Sequence, residues 1–169
     1  MQEPATVVST SDSVTLDDAT SFTLDYELFK DDISFTVSFQ GTSIRKARQR
    51  DKDIGASGLG FAAIGFPSES LNMVDADVIA VVADGSGGCS VGDYWSTGFV
   101  APVEDTANGG SDDLGDAECT IDGDVITASF KRNLMSSDTS DREIDPANIP
   151  LIYAFSATAG GLQYHGPTG

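Results

Sequence analysis

The sequence predicts an all-β protein, an immunoglobulin-like antiparallel β-sandwich that forms one domain over residues 1–169, with 1–19 as an N-terminal strand or extension. Three observations support this fold class. First, apolar and polar residues alternate with a period of two. Second, short apolar runs are separated by clusters of Asn, Asp and Ser and by the 18 glycines of the chain. Third, the sequence contains no amphipathic helix of ordinary length. A chain of 169 residues that is 40% hydrophobic is long enough to bury one core.

The clearest elements are two hairpins. Apolar residues alternate with polar ones along Phe22–Leu28 and again along 33–39, with Lys30, Asp31 and Asp32 as the turn between them. Such alternation is typical of strands with one face in a core and one in water. A second hairpin is predicted from 118–121 and 125–130, because Asp122 and Gly123 supply a tight turn with positive φ.

Further strands are predicted from short apolar runs, at 5–8, 13–16, 58–66, 77–83, 94–100 and 149–156. The runs at 58–66 and 77–83 are apolar on both faces, so we expect them to lie centrally. Three long loops separate the strands, at 40–57, 104–116 and 133–148. Loops of this length in a compact domain are more often functional than idle.

The charge of the chain excludes several functions. Nine Lys and Arg against 27 Asp and Glu give a net charge of −18. Such a surface repels nucleic acids and anionic membranes, and it favours partners that carry a basic patch. Five of the nine basic residues lie in the first long loop, within 45–52. This basic segment is either a solvated loop or a site that pairs with acidic groups of a ligand or partner.

The histidine count excludes further classes. A single histidine, His165, rules out an HExxH zinc site and a three-histidine zinc site. The G-x-S-x-G motif of many hydrolases is absent. No apolar stretch approaches the ~20 residues of a membrane-spanning helix.

The two cysteines, Cys89 and Cys119, are separated by 30 positions. In a reducing compartment they would be two buried thiols, and in a secreted domain they would form one disulfide. Both have Gly/Asp-rich flanks that indicate exposed loops, so we expect the disulfide.

The possible soft metal ligands are few. His165 is the one imidazole, and Met73 and Met135 are the thioethers besides the initiator. Met73 lies just before the buried strand predicted at 77–83, where a side chain can point into a pocket at the end of a sandwich. The ordinary interpretations are a gap-filling methionine and a surface histidine.

Several segments together resemble the DOMON family. They are Gly60-Phe61-Ala62-Ala63-Ile64-Gly65-Phe66, Asn72-Met73-Val74-Asp75-Ala76-Asp77-Val78, Phe130-Lys131-Arg132-Asn133-Leu134 with Ser137-Asp138 and Asp141, Pro150-Leu151-Ile152-Tyr153-Ala154-Phe155, and Tyr164-His165-Gly166. The resemblance rests on the order and spacing of these segments taken together. The resemblance runs from about residue 20 to the end of the chain.

The resemblance implies an extracellular β-sandwich, secreted or on the outer face of a membrane. Its haem-binding branch is similar to the cytochrome domain of cellobiose dehydrogenase and to DOMON domains of membrane b-type cytochromes. There, non-covalent haem b is held by a Met and a His at the positions of Met73 and His165. Two axial ligands leave no open position on the iron, so the domain carries single electrons and is not itself an enzyme.

Apolar and aromatic residues that lie near these two ligands in the sequence either line the faces of the haem or are ordinary core residues. The candidates are Phe61, Phe66, Leu71, Trp95, Phe99 and Tyr164. The basic segment 45–52 is a candidate partner of the propionates. The expected redox partner is a flavin dehydrogenase, a transmembrane b-type cytochrome or a secreted redox enzyme. The resemblance leaves open whether the full-length protein is attached to a membrane.

Other functions stay open. A haem-free DOMON domain would bind a carbohydrate through exposed aromatics such as Trp95, or would act as an adhesion or scaffold domain. Aspartates 75, 77, 122 and 124 suggest calcium, but the spacing of an EF-hand is absent. The glycine-rich segment at 84–88 does not match a dinucleotide-binding loop.

Overall fold

The computed structural model describes residues 10–17, 21–41, 59–68, 71–156 and 161–162. These residues form ten strands and one turn of 3-10 helix at Asp105–Ala107. The strands are β1 Thr10–Asp17, β2 Phe22–Leu28, β3 Asp32–Gln40, β4 Phe61–Phe66, β5 Ala76–Ala83, β6 Cys89–Ser96, β7 Val103–Glu104, β8 Gly115–Asp122, β9 Val125–Asn133 and β10 Ile152–Ser156.

The strands form two antiparallel five-stranded sheets. The first has the order β1-β2-β3-β9-β8, and the second has the order β10-β4-β5-β6-β7. Both predicted hairpins are present, as β2–β3 and β8–β9. Gly123 has a φ of 64° in the second turn, as the tight turn requires. The predicted all-β sandwich of two antiparallel sheets is confirmed.

The main core lies between the two sheets. Alternate residues of β2, β3 and β9 pack against alternate residues of β4 and β5. The rings of Phe35 and Phe66 join the two sheets at a centroid distance of 5.7 Å. Phe22 is fully buried and contacts Phe39 of its own sheet and Phe155 of the other sheet. The period of two in the sequence therefore corresponds to the inner face of each strand.

The expected position of the two apolar strands is confirmed. β4 is buried at all six positions, and β5 is buried at all but Val82. They pair with each other in the interior of the second sheet, between β10 and β6. Apolar residues on both faces of these strands therefore correctly predicted that each is an interior strand of its sheet.

One strand prediction is wrong in its bounds. The strand predicted at 94–100 is β6, which begins five residues earlier at Cys89 and ends at Ser96. The Ser96 hydroxyl donates to the carbonyl of Gly98 as the chain turns, and Phe99 is exposed. The strand was predicted too far along the chain because Phe99 and Val100 are apolar. Its start was not predicted because the residues from Cys89 onward are mostly polar or small.

Other predictions differ less or lie outside the described residues. The loop predicted at 104–116 contains the 3-10 turn, and the strand predicted at 149–156 begins at Ile152. The strand predicted at 5–8 and nearly all of the loop at 40–57 lie outside the described residues. Within the described part of the chain, no helix has the length and apolar character that crossing a membrane requires.

The predicted disulfide is present between Cys89 and Cys119, with a Cα–Cα distance of 6.1 Å. Cys89 begins β6 of the second sheet and Cys119 lies in β8 of the first, so the bond links the two sheets. The expectation that both cysteines lie in loops is wrong, because both belong to strands.

Candidate functional site

The second sheet carries an apolar layer on its outer side as well as on its inner side. The outward residues of β4 and β5 are Phe61, Ala63, Ala76, Val78 and Ala80, and all five are buried. We call these residues the outer layer. Further side chains from β5, β6, β10 and the segment beyond pack against it, namely Val82, Tyr94, Ile152, Ala154 and Leu162.

The first sheet is different on its outer side. There β2 presents Thr23, Asp25 and Glu27, and β3 presents Ser34 and Thr36. An outer face that meets water is normally polar in an antiparallel sandwich. The apolar outer layer of the second sheet is therefore not explained by packing between the sheets.

Small residues occupy part of this outer face. Ala63, Ala80 and Gly65 lie at outward positions, where bulkier residues would otherwise project. A Cβ at Gly65 would come within 2.9 Å of the Ile152 side chain, so the glycine allows close packing with β10.

Met73 lies in the turn that leads into β5. Its neighbour Asn72 accepts a hydrogen bond from the backbone amide of Val74 at 2.8 Å, and Ser68 donates to the Val74 carbonyl. Met73 is half-buried and belongs to neither apolar cluster of the described residues. The other candidate, Met135, is 66% exposed.

The predicted lining residues do not lie on one surface. Phe61 is in the outer layer, but Phe66 is in the inner core against Phe35. Trp95 pairs with Asp77 on the inner side of the second sheet. The remaining described candidates are exposed loop residues, Leu71 at 73% and Phe99 at 76%.

The predicted ligand His165 and the predicted lining residue Tyr164 lie outside the described residues, as does the basic segment 45–52. Leu162, three positions before His165, is described and packs against the outer layer.

A second group of residues lies at one end of the sandwich, between the sheets. The side chain of Arg132, on β9, is 1% exposed and forms ion pairs with Asp77 and Asp141. Its guanidinium also lies over the Phe66 ring at 5.2 Å. Asp77 accepts a hydrogen bond from the backbone amide of Arg142 at 2.9 Å. The base thus connects β9, β5 and the loop that follows β9.

More carboxylates surround this base than it can neutralise. Burial raises the pKa of Asp77 to about 6, of Asp93 to about 8 and of Asp105 to about 7. Neighbouring carboxylates raise the pKa values of Asp93 and Asp105 further, with Asp77 contributing to both. Burial and the adjacent Asp141 also raise the pKa of Asp113. We call Asp77, Asp93, Asp105, Asp113 and Asp141 the acidic pocket.

Sequence reasoning missed this pocket, although a signal was present. Ile126, Ala128 and Phe130 point inward along β9, and Arg132 continues the same series. On β6, Val91 packs against the inner core, and Asp93 lies two positions further along the same inward face. Charged residues at core positions of a strand are rare, and when buried they are paired or bind metals.

The fold and these two sites define an antiparallel β-sandwich domain with a disulfide between its sheets and an apolar outer face on one of them. A family model described as DOMON domain matches residues 17–156, and the chain belongs to this family. A search of curated proteins gives no match.

Proposed function

We propose that this chain is the haem-binding kind of DOMON domain, an extracellular carrier of single electrons. Met73 and His165 would be the axial ligands of a non-covalent haem b. The observation that carries the proposal is the outer layer, an apolar surface on the side of the second sheet that should otherwise face water. A planar apolar group bound at this face would be in contact with these five side chains.

The positions of Met73 and of Leu162, three residues before His165, support the same site. Met73 precedes Ala76, the first outer-layer residue of β5, by three positions, and Leu162 brings the chain before His165 to the same side of the sheet. Among the described residues, Met73 belongs to neither apolar cluster. Residues distant in sequence would thus meet at one face, with their geometry set by the sheet.

With a thioether and an imidazole as axial ligands, the haem iron would be six-coordinate and would exchange single electrons at a potential above that of bis-histidine ligation. The outer layer would exclude water from one side of the porphyrin. The basic segment 45–52 would pair with the propionates or with a partner. We expect no substrate turnover by the domain alone.

The surface charge indicates the kind of redox partner. A net charge of −18 favours a partner with positive charge around its own redox centre. We propose a flavin dehydrogenase, a transmembrane b-type cytochrome or a secreted redox enzyme as that partner, in a full-length protein that is itself secreted or membrane-attached. The disulfide between Cys89 and Cys119 supports an oxidising compartment.

An absorption spectrum of protein produced with haem tests the proposal. We expect a Soret band and sharp α and β bands after reduction. His165→Ala should lose the haem, and Met73→His should retain it at a lower potential. Met135→Leu is the matched control and should leave the spectrum and the potential unchanged.

The alternative is a haem-free domain that binds carbohydrate through Trp95. The guanidinium of Arg142 lies 5.1 Å from the centre of the Trp95 ring, so one ring face is covered. This contact gives the alternative no support. A colourless protein that takes up no added haem and binds oligosaccharides would establish it in place of the haem proposal.

A further inference from the structure

The acidic pocket contains carboxylate oxygens that are close together. One oxygen each from Asp77, Asp93 and Asp141 lies within 4.8 Å of the other two. They come from the neighbouring strands β5 and β6 and from the loop after β9. Oxygens bound to one Ca²⁺ at 2.3–2.6 Å lie at most about 5 Å apart, so one ion can contact all three.

The pocket also contains side chains that lack partners. Asp93 is 3% exposed, and neither of its carboxylate oxygens has a hydrogen-bond partner within the described part of the chain. The same holds for Asp105, which is 0% exposed. A buried carboxylate without a hydrogen bond is costly, and proteins normally pair such a group or let it bind a metal.

The charges of the pocket do not balance. If the five aspartates are ionised and Arg132 is the one base that pairs with them among the described residues, the net charge is −4. The other described bases are engaged elsewhere. Lys131 pairs with Asp116, and the Arg142 side chain donates to the Asp75 carbonyl at 2.7 Å. A divalent cation would reduce the net charge to −2 and would give the unpartnered oxygens a ligand.

We propose that the acidic pocket binds one calcium ion, through Asp77, Asp93 and Asp141, with Asp105 as an adjacent ligand. The donors are carboxylate oxygens, which hard cations prefer over the softer Zn²⁺ or Cu²⁺. Calcium accepts six to eight oxygens in irregular geometry, whereas magnesium requires a near-ideal octahedron. Ligands from two strands and two connecting segments suit the less demanding ion. The ion would hold together the two sheets at this end of the sandwich.

Terbium luminescence provides a direct test, because Tb³⁺ occupies calcium sites and is excited through a nearby indole. Trp95 is the one tryptophan of the chain, and it lies opposite Asp77 in the β5–β6 pairing. We expect tryptophan-sensitised Tb³⁺ emission that saturates at one ion per chain. Ca²⁺ should displace the Tb³⁺ with a dissociation constant of about 0.1–1 mM or tighter, and Mg²⁺ should displace it less well.

Two variants and a control locate the ion. Asp93→Asn and Asp105→Asn keep the side-chain shape and remove a charge, and each should weaken Ca²⁺ binding about tenfold or more. Asp25→Asn makes the same change at an exposed position of β2 and should bind as the original protein does. Thermal unfolding with and without Ca²⁺ gives a second measurement, because an ion that binds the folded state raises Tm.

The outcomes separate clearly. Absence of both Tb³⁺ emission and a Ca²⁺-dependent rise in Tm would overturn the proposal. Equal Ca²⁺ binding by Asp105→Asn and Asp25→Asn would also overturn the proposal, because the ion would then bind the acidic surface in general. This comparison remains valid even if Asp93→Asn fails to fold. The haem spectrum of the same samples reports the proposed electron-transfer function independently.

Discussion

Arg132 and Asp77 form an ion pair that crosses the core, from β9 of the first sheet to β5 of the second, with side chains that are 1% and 0% exposed. The pair lies at one end of an otherwise apolar interior. Asp77 and Asp141 depend on this base because their charges are removed from water.

Replacing Arg132 should therefore destabilise the fold strongly. We expect Arg132→Met to lower the free energy of unfolding by about 3–5 kcal/mol, because it leaves buried carboxylates without their counter-ion. Urea unfolding measures the loss. Lys131→Met is the control, since the Lys131–Asp116 pair is exposed and its loss should change the free energy of unfolding far less. Similar losses in the two variants would contradict a special role of the buried pair.

The stability of the protein without divalent cations should depend on pH. Asp93 faces Asp77 of β5, Asp105 of the 3-10 turn, Arg132 of β9 and Asp141 of the following loop. Its folded pKa of about 8 lies above its ordinary value of 3.8, so its protonated form is the one that the fold favours. The stabilisation of the fold by protonated Asp93 is fully present below about pH 4 and is lost as the pH rises through 8.

Unfolding in EDTA between pH 5 and 9 measures this effect. Each carboxyl that must lose its proton should reduce the free energy of unfolding by about 1.4 kcal/mol per pH unit. Asp77 and Asp105 have pKa values of about 6 and about 7, so they should add to this loss of stability in the lower part of the pH range. Asp93→Asn should flatten the slope near pH 8, and an unchanged slope in that variant would show that Asp93 does not titrate there.

The disulfide should contribute substantially to stability. Cys89 and Cys119 close a loop with a sequence separation of 30 and join strands of different sheets. The double variant Cys89→Ser/Cys119→Ser should lose about 3–4 kcal/mol, as loop-closure entropy in the unfolded chain predicts. Denaturant midpoints measure the loss. The original protein after reduction should unfold like the double variant, and equal midpoints before and after reduction would contradict the prediction.

Two adjacent alanines of β4 offer a test of the outer layer. Ala63 points outward and Ala62 points into the main core. Leucine at either position should reduce stability by about 1–3 kcal/mol through overpacking. Haem content per folded protein, measured by absorption, should fall in Ala63→Leu and not in Ala62→Leu. Equal haem content in both variants would argue against a haem on this face.

Local sequence patterns predicted much of the fold. The alternation along Phe22–Leu28 and the Asp122-Gly123 turn are properties of neighbouring residues, and both hairpins were found where expected. The predicted start of β6 lies too far along the chain, because the residues from Cys89 onward are mostly polar or small and lack a clear apolar run. Inward positions of that strand include Asp93, which an apolar pattern cannot reveal.

The sequence by itself determined the sandwich, its hairpins, the cysteine pair and the thioether and imidazole that a haem would need. Only the tertiary structure decided which sides of the strands these residues face. It placed Phe66 and Trp95 on the opposite side of the second sheet from Phe61, and it brought Arg132 to Asp77 and Asp141. Alternation along a strand is a local property, whereas the pairing of strands and the burial of charge between sheets depend on contacts between residues far apart in the chain.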